Sequence, residues 1–258
     1  MKLRSILVIA VSFGPIINAQ TTDKHLLFPG SAWSVLGNIS PVEKGNIIDA
    51  SYFEQGVRVY HRKSLSLVPY VSIGLTLDTE KYDWNNRVVG QAGIKLNKTF
   101  RSGVISLGSA YAHEYRWQSG MTKGAPIGYA NYWFGWQQPG TKIRFPGSSW
   151  GIVGNISPVE KGNVIAGSYL QQGIAILNSH AVSVVPFAEA TGYKDSKHYD
   201  WNNRIIYGGG VKLLVRSRPG VTEIGTSYSR EKRFNSGLTG KCITIFLKLW
   251  FGWNPKAT

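Results

Sequence analysis

The fold class follows from residues 104–117, which read VISLGSAYAHEYRW. The apolar and aromatic residues of this segment share one parity: Ile105, Leu107, Tyr111 and Trp117. The residues of the other parity are small, polar or charged: Ser106, Gly108, Ala110, Glu114 and Arg116. Successive side chains of a β-strand point to opposite faces, so this alternation predicts a strand with one apolar and one polar face.

The segment belongs to a duplication with a constant offset of 117 residues. Phe28-Pro29-Gly30 recurs as Phe145-Pro146-Gly147, and residues 37–46 (GNISPVEKGN) recur unchanged as residues 154–163. A self-similarity at fixed spacing marks repeated structural units, and a constant offset means that the two copies differ by substitutions alone. We therefore define repeat one as residues 28–136, a joint as 137–144, repeat two as 145–253 and a tail as 254–258.

Each repeat is predicted to form five or six antiparallel strands. In repeat one these cover about 47–61, 65–78, 88–97, 104–117 and 127–136, with the sixth at 33–39; repeat two follows at the same offset. Hairpin-length connections exclude parallel crossovers, and after the first segment no helical stripe is evident, so the fold is predicted to be all-β and antiparallel. The two repeats are expected to close one outer-membrane β-barrel of about 10–12 strands. The alternative is a pair of periplasmic or secreted β-domains with the apolar faces inside.

The first segment and the charge balance indicate an exported, basic protein. Residues 1–19 have a basic start, an apolar stretch too short to span a bilayer and a small residue at the end, as in a secretory signal peptide. The chain has 29 Lys+Arg against 14 Asp+Glu. An exported basic protein is expected to meet bacterial polysaccharide or lipopolysaccharide at the outer membrane, together with envelope secretion partners, and not nucleic acid.

Two aromatic, amide-rich segments are the candidate ligand-binding residues. They occupy the break between the second and third strands of each repeat: Tyr82, Asp83, Trp84, Asn85, Asn86 and Arg87, and Tyr199, Asp200, Trp201, Asn202, Asn203 and Arg204. Flat aromatic rings beside hydrogen-bonding side chains suit a sugar, which has an apolar face and a polar edge. The alternative is a hairpin loop whose Asp and Asn side chains bond their own backbone and whose tryptophan anchors the turn.

A second candidate site is a basic face on the polar side of the strands. It comprises Lys95, Arg116, Lys212, Arg233 and Lys248. Inside a barrel these cations would form a lumen for an acidic polymer, or a structural charge ladder with Glu114 and Glu231.

No catalytic, metal-binding or cofactor-binding motif was identified, and none of these roles is assigned. The carboxylates in the unchanged decapeptide, Glu43 and Glu160, are the candidates for acid–base chemistry if a second carboxylate faces them. A polar loop, with Pro and Gly-Asn giving the turn geometry, is the other interpretation.

The order of motifs within each repeat resembles a β-rich domain of the bacteriophage adsorption protein A family of the N-four type. The matching segments are Tyr52-Phe53-Glu54-Gln55-Gly56-Val57, Leu67-Val68-Pro69-Tyr70, Asp83-Trp84-Asn85-Asn86 and Gly93-Ile94-Lys95-Leu96. The resemblance covers about 46–136 and 163–253. It implies an envelope protein acting near a secreted glycan, with use by phage as an adsorption site, and it names no catalytic residue.

These observations predict a non-catalytic, outer-membrane-associated β-protein that binds an extracellular polysaccharide or assists its export. A general porin or structural barrel is the first alternative. A carboxylate-based carbohydrate-active enzyme is the second.

Overall fold

The computed structural model describes residues 28–136, 145–179, 181–217 and 220–253. The predicted signal peptide, the joint and the tail lie outside these residues. Repeat one contains β1 (Gly30–Gly37), β2 (Ile48–Gly56), β3 (Tyr60–Arg62), β4 (Leu65–Asp78), β5 (Arg87–Phe100), β6 (Gly103–Arg116) and β7 (Thr122–Trp136). Repeat two contains β8 (Gly147–Asn155), β9 (Ile165–Gly173), β10 (Leu177–Asn178), β11 (Val182–Asp195), β12 (Arg204–Arg216), β13 (Gly220–Arg233) and β14 (Thr239–Trp253).

Twelve of these strands form one closed antiparallel barrel, which confirms the predicted fold class. Neighbouring strands pair in the order β11-β12-β13-β14-β1-β2-β4-β5-β6-β7-β8-β9, and β9 pairs with β11 to close the ring. The short strands β3 and β10 pair with the first residues of β4 and β11. Closure leaves no unpaired sheet edge around the ring.

The distribution of apolar residues is the reverse of that in a soluble protein. Along β4, Val71 and Ile73 are 56% and 50% exposed, whereas Ser66, Tyr70 and Ser72 of the alternate face are buried inside the barrel. On β14, Ile243 and Ile245 are 71% and 72% exposed. In water such a surface would aggregate, whereas in a bilayer it is the face that lipid contacts.

The chain is therefore an outer-membrane β-barrel, and the alternative with soluble β-domains is wrong because the apolar faces point outwards. Charged side chains on the lipid-facing side of a barrel cost little near the membrane boundary. His113, Arg230 and Lys232 lie within the last four residues of β6 and β13, at that boundary. No helix in the described ranges has the length and apolar character needed to cross a bilayer.

Outward-facing aromatic residues mark both ends of the barrel wall. Phe100 packs near Phe134 with ring centroids 5.8 Å apart, and Phe53 lies 5.7 Å from Trp253 at the same end. Tyr115 and Trp117 contact each other at the opposite end. Aromatic rings at two heights are typical of barrels whose girdles sit at the two membrane–water interfaces.

Connection lengths distinguish the two ends of the barrel. At one end, which we call the loop end, β1–β2, β4–β5 and β6–β7 are joined by residues 38–47, 79–86 and 117–121, and repeat two has the corresponding loops. At the other, the turn end, β5 and β6 are joined by residues 101–102 and β12 and β13 by residues 217–219, whereas residues 57–64 and 137–146 form longer connections. Barrels of this class have short periplasmic turns and longer extracellular loops, and the shortest connections lie at the turn end, so we assign the loop end to the outside of the cell.

The predicted strand 47–61 is interrupted after Gly56, and a proline explains the break. Pro69 on the neighbouring strand β4 has no N–H to donate, and its carbonyl accepts a hydrogen bond from the Val57 N–H at 2.9 Å. The Val59 N–H donates to the Leu67 carbonyl at 3.1 Å, and the regular ladder resumes at Tyr60 with the register shifted by one residue. Pro186 has the same effect in repeat two, where its carbonyl accepts from the Ile174 N–H.

Candidate functional site

The two predicted ligand-binding segments meet across the loop end of the barrel. Each contains a 3-10 turn, Asp83–Asn85 in repeat one and Asp200–Asn202 in repeat two. These turns lie on opposite sides of the ring, between β4 and β5 and between β11 and β12. Nevertheless Trp84 and Trp201 stack with ring centroids 4.3 Å apart and an interplanar angle of 4°.

A tyrosine extends this stack on each side. Tyr82 stacks on Trp84 and Tyr199 stacks on Trp201, with centroids 4.8 Å apart in both pairs. We call the column of Tyr82, Trp84, Trp201 and Tyr199 the aromatic bridge. Burial first, and then the nearby Glu43 carboxylate, raise the pKa of the Tyr82 hydroxyl. Because both faces of Trp84 and Trp201 are covered by other rings, the bridge spans the mouth as a structural element.

The polar residues of the two segments hold the turns in place. Asp78, at the end of β4, accepts hydrogen bonds from the Tyr82 N–H at 3.0 Å, Asn85 Nδ2 at 2.9 Å and Asn86 Nδ2 at 2.7 Å. The Asp83 carboxylate accepts from the Ser119 N–H at 2.9 Å. Asp195 repeats the role of Asp78 towards Tyr199, Asn202 and Asn203, and Asp200 accepts from the Ser236 N–H.

Reciprocal contacts account for the identity of the two decapeptide copies, because each copy bonds to strands of the other repeat. Ser40 Oγ donates to Glu231 at 2.6 Å, and Glu43 pairs with Arg233 at 2.5 Å. In the reciprocal contact, Ser157 Oγ donates to Glu114 at 2.6 Å and Glu160 pairs with Arg116 at 2.9 Å. The two candidate acid–base carboxylates therefore belong to ion pairs that seat the loops on the barrel wall.

The wall beneath the aromatic bridge carries two buried carboxylates. Glu114 is fully buried and pairs with Arg87 at 3.3 Å and Arg116 at 2.8 Å. Glu231 is equivalent and pairs with Arg204 at 3.2 Å and Arg233 at 3.0 Å. Each buried charge is thus compensated by arginines in hydrogen-bonding geometry, which is the condition for its burial.

The predicted basic face lies inside the barrel, and each member forms an ion pair. Arg116 and Arg233 belong to the mouth. Deeper in the lumen, Lys95 pairs with Glu54, Lys212 with Glu223 at 2.9 Å, and Lys248 with Glu189 at 3.3 Å. Pairing of this kind gives the charge ladder rather than an uncompensated cationic lumen.

A cavity of about 600 Å³ opens in the repeat-one half of the lumen, towards the turn end. Glu54, Lys95, Asn97 and Trp133 line it. Trp133 is 47% exposed, and Asn97 Oδ1 is buried without a hydrogen-bond donor among the described residues. A buried acceptor without a partner is costly unless a ligand or water supplies the donor.

The same region of repeat two is filled by side chains. Leu214 occupies the position that corresponds to Asn97, and Ala175 the position that corresponds to Arg58. Both are buried, and with Val185 they form an apolar cluster against which Val221 packs. The cavity is therefore a property of repeat one and not of the repeated framework.

The sequence did not identify four residues of the site: Asp78, Asp195 and the cavity residues Glu54 and Asn97. The aspartates carried a detectable signal, because they are identical at the repeat offset. Asn97 carried the opposite signal, a substitution to Leu214 in the other repeat. Within the described ranges, no cluster of three or more His, Cys, Asp or Glu side chains is arranged to hold a metal ion.

No family model and no curated protein matches the sequence. Among solved structures, the chain is similar to the beta domain of the Bordetella autotransporter Brka (12% identity, TM-score 0.36, 88% of this chain and 99% of that one). It is also similar to OmpT, an outer membrane protein of Vibrio cholerae (8%, TM-score 0.36, 92% and 100%), and to the outer membrane channel DcaP of Acinetobacter baumannii (8%, TM-score 0.35, 88% and 96%). These TM-scores add nothing to what the strand pairing itself shows. The resemblance to the phage adsorption family stays a prediction.

Proposed function

We propose that this protein is a non-catalytic outer-membrane barrel that binds an extracellular polysaccharide, or assists its export, through the cavity of repeat one. The observation that carries the proposal is the difference between the repeats. Where repeat two is filled by Ala175, Val185 and Leu214, repeat one leaves about 600 Å³ beside a half-exposed tryptophan and the unsatisfied acceptor Asn97 Oδ1.

The lining suits a sugar unit. The ring of Trp133 offers an apolar surface, and Glu54, Lys95 and Asn97 offer hydrogen-bond acceptors and donors at the cavity wall. A pyranose presents an apolar face and a rim of hydroxyl groups, and binding sites generally combine apolar walls with a few placed polar groups. A hydroxyl that donates to Asn97 Oδ1 would satisfy the buried acceptor.

The charge of the lining favours an acidic sugar. Among the described lining residues, Arg58, Lys95 and Arg101 outnumber the single carboxylate of Glu54. A uronate or another acidic substituent would complement this excess. The cavity opens at the turn end, which by loop length faces the periplasm, the side from which an exported polymer arrives.

The aromatic bridge supports placing the sugar in the cavity and not on the loops. The faces of Trp84 and Trp201 are stacked on other rings, so they have no free surface for a pyranose. The carboxylates of Glu43 and Glu160 are engaged by Arg233 and Arg116, which supports a structural role and a non-catalytic barrel.

The proposal is tested with the refolded barrel in detergent and two sets of oligosaccharides, one of uronates and one neutral. Binding is measured by calorimetry and by quenching of tryptophan fluorescence. Trp133→Ala removes the platform, and Asn97→Leu introduces the residue that repeat two already carries. We expect each substitution to weaken uronate binding at least tenfold, equivalent to about 1.4 kcal/mol.

The matched control is Gln171→Glu, which makes repeat two resemble repeat one at the position of Glu54 without opening a cavity. It is expected to leave binding unchanged. Absence of binding to either set, together with unchanged polysaccharide secretion by cells that lack the protein, would overturn the proposal.

A second candidate function, a pore gated by the aromatic bridge, is favoured by the position of the Trp84–Trp201 contact across the mouth. Planar-bilayer recordings of the double variant Trp84→Ala/Trp201→Ala test it. A gated pore predicts that the double variant conducts where the parent does not. Equal, negligible conductance of both proteins would exclude a gate, and block of the current by the uronates would connect the two candidates.

A further inference from the structure

The outer wall of repeat two differs from that of repeat one near the loop end. An apolar notch of about 290 Å³ lies there, lined in part by Ala166, Gly192, Lys194, Ile205 and Phe234. Gly192 corresponds to Leu75 of repeat one, so the notch exists because repeat two lacks that side chain. The surface around it is the lipid-facing side of the barrel.

Cations surround this notch. Lys232 faces outwards beside Ile205, its partner across the β12–β13 pair, and Arg230 faces Lys241 across the β13–β14 pair. Together with Lys194 they place four positive charges on one stretch of wall, and none forms an ion pair with a described residue. The corresponding residues of repeat one are Leu77, His113, Tyr115 and Gly124, so this cluster of Lys and Arg is present in one repeat alone.

Four cations on a lipid-facing wall need anionic partners. A cationic side chain at the membrane centre is costly, whereas near the interface it binds the phosphates of anionic lipids. Arginine and lysine donate charge-assisted hydrogen bonds to phosphate oxygens, and an adjacent apolar notch accommodates part of an acyl chain. By loop length this end of the barrel faces the outer leaflet.

We propose that Lys194, Arg230, Lys232 and Lys241, with the notch beside them, form a binding site for a phosphorylated glycolipid of the outer leaflet, of the lipid A type. The cations hold the phosphates at the level of the membrane interface. The notch between Gly192 and Phe234 takes the beginning of one acyl chain. The site is on the outside of the barrel and does not rest on the sugar cavity proposed above.

Native mass spectrometry of the detergent-solubilised barrel tests this site, with diphosphorylated lipid A as the probe. The variant Lys194→Leu/Arg230→His/Lys232→Tyr installs the residues of repeat one, which already face lipid at the equivalent positions. We expect one tightly bound lipid on the parent protein and an affinity about fivefold lower for each cation removed, so about a hundredfold for the triple variant. Lys98→Ala removes an outward cation near the turn end and is expected to retain the lipid.

Two further measurements identify which part of the lipid the site recognises. Dephosphorylated lipid A is expected to bind no better to the parent than to the triple variant, and inorganic phosphate alone is expected not to compete at millimolar concentration because it lacks the acyl chains. Equal binding of the parent and the triple variant to diphosphorylated lipid A would overturn the proposal. Binding to uronates by the triple variant should remain that of the parent, so this result and that of the sugar cavity are independent.

Discussion

The two repeats agree at the mouth of the barrel and differ below it. At the mouth, Glu114 and Glu231 have equivalent partners, the decapeptide loops make reciprocal contacts, and Trp84 stacks on Trp201. In the lumen, a cavity in one repeat faces an apolar cluster in the other. Residues that bond across the two repeats must match a partner that is also repeated, whereas residues that contact only their own repeat are free to diverge.

The largest loss of unfolding free energy is expected from removing one of the buried carboxylates at the mouth. Glu114→Ala removes the carboxylate that pairs with Arg87 and one of the carboxylates that pair with Arg116, and Glu231→Ala does the same to Arg204 and Arg233. Breaking a buried pair in this way costs about 3–5 kcal/mol. Because the two networks are equivalent, the two losses should agree closely. Urea unfolding of the barrel in lipid vesicles measures both, and a loss in one repeat only would show that the mouth is not symmetric in energy.

In the lumen, substitutions at equivalent positions should change the free energy of unfolding by different amounts in the two repeats. Leu214→Asn puts an amide into the apolar cluster and is expected to cost about 2–5 kcal/mol. Asn97→Leu removes an unsatisfied acceptor and is expected to be neutral or stabilising, within about 1 kcal/mol. The same unfolding assay compares them, and similar losses for both would mean that the cavity is not a specialised feature of repeat one.

Asp78 and Asp195, which we call the aspartate hubs, should each stabilise the decapeptide loop of their own repeat. Asn46 Nδ2 donates to Asp78 and Asn163 Nδ2 donates to Asp195, so each hub ties down the decapeptide of its own repeat. Asp78→Ala is expected to cost about 1–3 kcal/mol and to loosen the decapeptide loop so that trypsin cleaves it after Lys44, which is already exposed. Asp195→Ala should allow cleavage after Lys161 instead. Mapping the cleavage sites by mass spectrometry checks this, and cleavage of both loops in both variants would contradict local control.

The smallest effect is expected for the contact between the two tryptophans. A double-mutant cycle of Trp84→Ala and Trp201→Ala should give a coupling energy of about 0.5–1.5 kcal/mol, the usual value for an aromatic pair beyond its buried area. The cycle uses the unfolding free energies of the four proteins in vesicles. Additive losses would show that the bridge does not couple the repeats.

The fold was largely predictable from the sequence because apolar and polar residues alternate along each strand. Alternation of the kind seen at Ile105, Ser106 and Leu107 predicts both the strand and its two faces, and the repeat offset doubles the number of observations for each strand. The predicted range of 10–12 strands is confirmed. The break after Gly56 was missed because it depends on Pro69 of a neighbouring strand, which a reading of one segment at a time does not include.

The site was less predictable because its contacts are long-range. The Tyr82–Arg87 and Tyr199–Arg204 segments were identified, but their composition does not reveal that the two tryptophans meet across the mouth. The cations of the basic face were placed on the correct side of the wall, whereas their partners come from other strands. The cavity depends on the volume that Asn97 leaves where Leu214 fills it, and volume inside a barrel is set by the whole ring.

Two strand pairs, β1–β14 and β7–β8, join the repeats, and we call them the seams. β1 pairs with β14 so that Gly30 lies opposite Trp253, and β8 pairs with β7 so that Gly147 lies opposite Trp136, which is the same register at the repeat offset. A separate polypeptide with the six barrel strands of one repeat would therefore close the same ring as a homodimer, whose two seams together would make up one isologous interface. In such a dimer every residue is present twice, whereas a single chain can carry a residue in one half that the other half lacks.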